Sequence, residues 1–275
     1  MITRIAPTPS GYLHAGNGAA FVLAWRLARE AGGKVLLRID DLDAERVRQE
    51  YVQDIFDTLR WLGVDWDEGP RNADELAETW SQHRRMAAYL SLLEELRATG
   101  RLYACACSRK QVMERSHGVE YDGHCRNRGL SLDAPEVAWR LRLPEHGTVN
   151  LRAWPAGHAR QEALDMPDPM VRQRNGCPAY QIASLADDLR FKVDLVVRGI
   201  DLLPSTLVQL HIADVLGRPA FSQAVFLHHA LLNSAEGGKL SKSAGAESLK
   251  HWREIGKGQE EILLMADRLR HSILS

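Results

Sequence analysis

The chain has 275 residues, of which 45% are hydrophobic and 26% charged, and a formal net charge of −1. That length and apolar share support a folded core, and near-neutrality excludes a protein that coats nucleic acid through a global basic field. No run of about 18 apolar residues occurs, which excludes a membrane-spanning helix; the start MITRIAPTPSGYLHAG is too broken by proline and polar residues for a signal peptide, so a cytoplasmic location is expected.

Arg4-Ile5-Ala6 is a short apolar run that stops at Pro7, and His14-Ala15-Gly16-Asn17 follows a proline- and glycine-rich loop. From Gly18 the apolar residues Phe21, Val22, Trp25, Leu27 and Ala28 recur at helical spacing until Gly32-Gly33 stops them. Lys34–Ile39 reads as a buried strand bounded by Asp40-Asp41. Strand, loop, helix and strand make a βαβ unit, so an α/β fold with a parallel sheet is expected. Residues 49–62 and 75–99 read as helices that end at Gly63 and Gly100. Residues 101–165 change character, with clustered cysteines, several arginines and a β-like stretch from Val137 to Leu151. Residues 178–200 return to helix and then to a strand at Val193–Arg198, and Leu203–Leu216 is a helix stopped by Gly217. Residues 222–275 hold a strand, a glycine-rich loop and mostly helix. The expected organisation is a catalytic core in two halves, 1–100 and 166–221, around an insertion at 101–165, with 222–275 as loop and helical C-terminal segment.

Two loops suit phosphate chemistry. A helix that starts near residue 17 offers free N–H groups to an anion. Gly11 and Gly16 let backbone approach a ligand, His14 can donate to a phosphate oxygen, and Asn17 can cap the helix and donate as well. Alone, this element is more often a cap and a loop. In Gly237-Gly238-Lys239-Leu240-Ser241-Lys242-Ser243 two lysines can follow a triphosphate as charge builds on it. Alone, that element is a common solvated basic loop.

Together, HAGN and KLSKS resemble the paired signatures of class I aminoacyl-tRNA synthetases, which bracket a Rossmann-like catalytic core. The glutamyl branch is the closest in pattern: RIAPTPSG at Arg4–Gly11, LLRIDDLD at Leu36–Asp43, YQIASLADD at Tyr180–Asp188 and VVRGIDLL at Val196–Leu203. The resemblance implies adenylate formation from ATP and Mg²⁺, with Pro7, Gly16, Lys239, Ser241 and Lys242 at ATP, and His14, Asn17, Lys239 and Lys242 stabilising the transferring phosphate. Glutamate carries two carboxylates and an ammonium, so its pocket needs cations and an anion. Arg4 and Arg198 suit the carboxylates, Asp40 the ammonium, and Tyr180 an added hydroxyl contact. The resemblance assigns these positions to glutamate, together with Ala6–Thr8. One departure stands out: the family's usual R-I-E-D reads Arg38-Ile39-Asp40-Asp41 here, and the shorter Asp40 needs a water or a small shift to reach an ammonium. Asp41, Asp43 and Arg46 are expected to shape the loop.

Cys105, Cys107 and Cys125 can supply most of a tetrahedral Zn²⁺ site, whereas Cys177 is expected in the core. By residue chemistry His124 is the ordinary fourth ligand, while the resemblance implies Tyr121; three reduced, metal-free cysteines are the plainer reading. The chain after Ser243 is short, and no anticodon-binding domain is expected. That favours a resemblance to the glutamyl-Q tRNA(Asp) synthetase family, whose members activate glutamate without tRNA and transfer it to queuosine in tRNA(Asp); this chain is expected to be a monomer. Arg109, Lys110, Arg115, Arg126 and Arg128 suit phosphate contacts, or simply a solvated charged face.

Overall fold

The computed structural model describes residues 1–116, 120–155, 157–232 and 248–274. Lys239, Ser241 and Lys242 lie outside the described residues. The first half runs β1 (Ile2–Ile5), α1 (Ala15–Glu30), β2 (Lys34–Leu37), α2 (Gln49–Trp61), a short α3 (Ala73–Glu75) and α4 (Met86–Ala98). Then come β3 (Leu102–Cys105), α5 (Arg109–Arg115), β4 (Ala138–Leu141), β5 (Thr148–Ala153), β6 (His158–Ala163) and β7 (Met170–Arg172). The second half holds α6 (Tyr180–Arg190), β8 (Leu195–Gly199), α7 (Leu203–Val215), α8 (Pro219–Ser222), β9 (Val225–His229), α9 (Leu249–Glu254) and α10 (Glu260–Leu274).

The main sheet has the order β2-β1-β8-β9-β5-β6. All its pairings are parallel except β5 with β6. Alternate strand residues enter two cores, as a parallel sheet covered on both faces requires. Val35, Leu37, Leu195 and Val197 pack under α1, α2 and α10, whereas Leu36 and Val196 pack under α4, α6 and α7. Phe56 and Tyr89 are completely buried, one in each core. Each such side chain contributes about 1.5–3 kcal/mol of hydrophobic stabilisation.

The N-terminal βαβ unit is the one expected from the periodicity. The sequence-expected helix over 75–99 is divided. A wide turn at Leu76–Trp80 and a 3₁₀ turn at Gln82–Arg85 precede α4. The cause is polar: Gln82 and Arg85 are drawn into buried contacts with Asp41 and Asp187, which a continuous helix would not allow. Segment 101–165 is also shared out. β3 and β4 form a small antiparallel sheet with β7, while β5 and β6 extend the main sheet beside β9. Cys177 differs from the expected core position, because it lies partly exposed at a turn whose Asn175 side chain accepts its N–H. No helix among the described residues is long and apolar enough to cross a membrane.

Candidate active site

The parallel sheet has its switch point between β1 and β8, because the chain leaves β1 towards β2 on one side and returns as β8 on the other. Ligands of open α/β sheets bind there, at the carboxyl ends of the strands. A cavity of ≈ 530 Å³ occupies that place. Its wall includes Arg4, Ala6, His14, Gly16, Asn17, Tyr180 and Arg198. The N-terminal loop and two residues more than 160 positions further along the chain thus meet at one opening.

His14 is the N-cap of α1, with extended backbone. Its N–H donates to Asn17 Oδ1 at 3.1 Å, and its carbonyl accepts from Asn17 N at 2.9 Å. This reciprocal closure fixes the loop and aims the helix start at the cavity. The first turn of α1 carries no acidic residue, so the helix dipole there is not neutralised and favours an anion. A Cβ at Gly16 would lie 3.2 Å from the His14 ring, which is tight against it.

Arg4 on β1 and Arg198 on β8 lie on neighbouring strands and both line the cavity. They are 4% and 5% exposed. Arg4 Nη1 donates to the Val197 carbonyl at 3.2 Å, and its Nε is 3.4 Å from Asp188 Oδ1. Arg198 Nη2 donates to Gln209 Oε1 at 3.0 Å. Its Nε and Nη1 have no hydrogen-bond partner among the described residues. Burial, and then the nearby charge of Arg4, depress the Arg198 guanidinium below its ordinary value, although Tyr180 pulls the other way. His228, next to Arg198 in the sheet, offers no counter-charge: burial and the Arg198 charge push its imidazole down to about 3. A buried cation with spare donors beside a second cation is a receptor for a carboxylate or phosphate.

Asp40 is placed differently. It is buried and does not line the cavity. Arg38 grips it through Nε at 2.6 Å and Nη2 at 3.0 Å. Arg38 Nη1 then reaches Asp188 Oδ1 at 2.6 Å, the same oxygen that faces Arg4. Asp40 therefore connects to the cavity through Arg38, Asp188 and Arg4. Burial pushes the Asp40 carboxyl up by more than Arg38 pulls it down. Asp41 shapes the loop, accepting from Gln82 N at 2.7 Å. Pro7 and Thr8 also lie off the cavity wall, Pro7 buried and Thr8 exposed. The segment with Lys239, Ser241 and Lys242 is flanked by cavity neighbours: Leu231 and Leu232 line the wall, and Ser248 bridges to His14.

The sequence reading missed Asp201, His229 and Phe21 on the same wall. The first two could be inferred once the strand order is known. β8 ends at Gly199 and β9 at His229, and strand ends at a switch point are where ligands meet the sheet. A Cβ at Gly199 would sit 2.6 Å from Asp201 Oδ1, so glycine makes room for that carboxylate. Burial leaves the His229 imidazole below its ordinary value and so neutral near pH 7.

The cysteines form a second centre. The sulfurs of Cys105, Cys107 and Cys125 lie within 4.8 Å of one another. Tyr121 is buried in the same cluster, and its hydroxyl accepts from Cys125 N at 2.9 Å. His124 is exposed, with its ring 3.4 Å from Arg128. Arg115 Nη2 donates to Cys107 Sγ at 3.1 Å, and Arg140 sits 3.5 Å from the centroid of the Tyr121 ring. Much of the local positive charge is already matched. Arg115 pairs with Asp122, Arg126 with Asp168, and Lys110 with Glu114.

An open, doubly wound α/β sheet with an anion-receptive cavity at its switch point defines a nucleotide-binding α/β protein of the Rossmann-like kind. The family model described as the catalytic domain of class I tRNA synthetases (E and Q) matches residues 1–272, and the chain belongs to that family. It is 37% identical over 271 residues to a glutamyl-Q tRNA(Asp) synthetase of Nitratidesulfovibrio vulgaris, covering 92% of this chain and 81% of the relative. It is 36% identical over 267 residues to glutamate–tRNA ligase 2 of Acidithiobacillus ferrooxidans, covering 92% of this chain but 55% of that longer relative. Among solved structures, a glutamate–tRNA synthetase from Elizabethkingia anophelis superposes with a TM-score of 0.73 at 25% identity, over 93% of this chain and 54% of that one. A glutamate tRNA ligase from Elizabethkingia meningosepticum in complex with its amino acid gives 0.71 at 26% identity, over 89% and 52%.

Proposed function

We propose that this chain activates L-glutamate with ATP as glutamyl-adenylate without tRNA, and then transfers the glutamyl group to queuosine in the anticodon of tRNA(Asp) in the cytoplasm. The observation that carries the first step is the Arg4–Arg198 pair on the cavity wall, with two donors of Arg198 unpartnered among the described residues. The side-chain carboxylate of glutamate occupies those donors, with the Tyr180 hydroxyl beside it. An oxygen of its α-carboxylate attacks the α-phosphorus in line, and pyrophosphate leaves with the bonding electrons. His14, Asn17 and the start of α1 stabilise the charge on the phosphate, joined by Lys239 and Lys242. Asp201 suits the ribose hydroxyls of ATP. Mg²⁺ would screen the departing pyrophosphate.

In the second step a hydroxyl of the cyclopentene diol attacks the activated carbonyl, loses its proton and displaces AMP. This acceptor is supported by two relatives named glutamyl-Q tRNA(Asp) synthetase, each 37% identical to the chain. The deciding experiment is glutamate-dependent ATP–pyrophosphate exchange without tRNA, followed by transfer to tRNA from queuosine-replete and queuosine-deficient cells. Exchange should proceed, and only the replete pool should accept glutamate. Equal transfer to both pools would replace queuosine by the tRNA 3′ end. Lys242→Ala should slow exchange about 10²–10³-fold, the usual scale for a donor to a developing anion. A wild-type rate would remove Lys242 from the mechanism.

Cys105, Cys107, Cys125 and Tyr121 would hold a structural zinc in this reading. The three thiols lie close enough together to share one ion, and a bound zinc would pin the loop after β3 to the Tyr121–Cys125 turn. Tyr121→Phe should weaken zinc retention against a chelator roughly 10–100-fold, while His124→Ala should leave it unchanged. The opposite order would make His124 the fourth ligand.

A further inference from the structure

Helix α9 is locked to the loop that presents His14. Ser248 pairs with His14 across an antiparallel bridge, and Leu249 N donates to the Leu13 carbonyl at 2.7 Å. Lys250 Nζ donates to the Tyr12 hydroxyl at 3.0 Å and lies 4.4 Å from the centroid of its ring. Arg253 Nη2 meets Asp54 Oδ1 at 2.6 Å, and its Nη1 donates to Thr58 Oγ1 at 2.9 Å. The second oxygen of Asp54 accepts from Leu13 N at 3.1 Å. Asp54 is only 3% exposed. Leu249 fills the space above Gly18, where an added Cβ would come within 2.9 Å of it.

We propose that Asp54 and Arg253 are positioning residues for His14, acting through one shared carboxylate. This inference rests on the adenylate-forming reading above. Asp54 belongs to α2, is not among the residues lining the cavity, and reaches the His14 loop through the backbone of Leu13 and through Arg253 on α9. With one oxygen on Leu13 N–H and the other on Arg253, it fixes the height of the loop relative to α9. This strut is stiff at its Asp54 end, because that carboxylate is buried and cannot relax into water, while the Arg253 side chain is 17% exposed. A shift of about 1 Å in a group that meets the transferring phosphate can cost roughly 10²-fold in rate. The strut therefore acts on the phosphate side of the cavity and leaves the Arg4–Arg198 side alone.

The test is ATP–pyrophosphate exchange by Arg253→Ala, Arg253→Lys and Asp54→Asn, with hydrogen exchange of the peptide spanning residues 12–18. Arg253→Ala should lower kcat about 10–100-fold and raise KM for ATP, with KM for glutamate within about twofold. Arg253→Lys should recover part of the rate. Amides of residues 12–18 should exchange faster in Arg253→Ala and Asp54→Asn, while those of β2 stay as in wild type. Folded variants with wild-type kcat and unchanged protection of residues 12–18 would overturn the proposal. A loss of thermal stability with both KM values and kcat per folded molecule unchanged would overturn it too, since that marks glue alone. If wild-type protein shows no exchange activity, the adenylation reading fails, and the hydrogen-exchange comparison still decides whether the strut orders the loop. If Arg253→Ala does not fold, Arg253→Lys and Asp54→Asn carry the same comparison.

Discussion

Arg198→Met should abolish productive glutamate binding while leaving the free protein at least as stable as wild type. Two charge-assisted hydrogen bonds to a buried carboxylate contribute about 1.5–3 kcal/mol each. Their loss predicts a fall of roughly 10²–10⁴ in kcat/KM for glutamate in ATP–pyrophosphate exchange. The stability side runs the opposite way. In the free protein Arg198 is a buried cation whose Nε and Nη1 are unpartnered among the described residues, and Arg4 repels it. Replacing such a charge with an apolar side chain of similar volume is often neutral or stabilising by about 1–4 kcal/mol. Arg198→Lys should not rescue activity, because an ammonium cannot present the planar fork that a carboxylate fits. The paired measurement is thermal unfolding with and without glutamate. Wild type should gain stability from saturating glutamate and Arg198→Met should gain none. A variant with wild-type KM for glutamate, or one that unfolds several degrees earlier, would show that Arg198 serves the fold and not the ligand.

Sequence reading succeeds here where the signal is local. α1 was legible because Asn17, the apolar spacing and Gly32-Gly33 mark its start, face and stop. Arg4, His14 and Asn17 were legible because they sit on that same unit, within a few residues of a strand end or a helix start. Tyr180 and Arg198 were reached through family resemblance, and the structure brings both to the wall that Arg4 lines. Long-range pairing was not legible. Nothing near residue 82 announces that Gln82 will donate to Asp187, and that contact is what breaks the expected helix over 75–99. The surroundings of Asp40 illustrate the same limit. Two residues of separation allow Arg38 and Asp40 to point the same way only if the chain is extended, and the grip between them depends on Asp188, which lies on α6. The placement of β5 and β6 in the main sheet depends on β9, a strand more than sixty residues away by sequence number. Asp201 and His229 fall between these cases, since they could be inferred once the strand order was known, but not before.

Asp188→Asn should be the most destabilising single change near the site, with an expected loss of about 3–5 kcal/mol in urea unfolding. Its Oδ1 meets Arg38 at 2.6 Å and Arg4 at 3.4 Å, and the residue is 1% exposed. Asparagine keeps the volume and one acceptor but removes the charge. Arg38 would retain Asp40, whereas Arg4 would keep only the Val197 carbonyl and the neighbouring cation Arg198. The loss should therefore fall on both the fold and the glutamate side of the cavity, with KM for glutamate rising as Arg4 loses its aim. Asp187, one residue earlier, gives the pH signature of this region. Burial pushes its carboxyl up, but hydrogen bonds from Arg85 and the charges of Arg38 and Arg85 outweigh burial and hold it below the ordinary carboxylate range. A folded-state value below the unfolded one contributes stability that is present above the unfolded value and is lost as pH falls through the folded value. Asp40 is shifted the other way, so it does not add to that acid loss. Arg85→Met removes the largest pull on Asp187, so it should lower stability near neutral pH and flatten the acid dependence of stability that Asp187 contributes. An acid slope unchanged in Arg85→Met, or a loss below about 1 kcal/mol in Asp188→Asn, would mean that these buried charges contribute no more than solvated surface pairs.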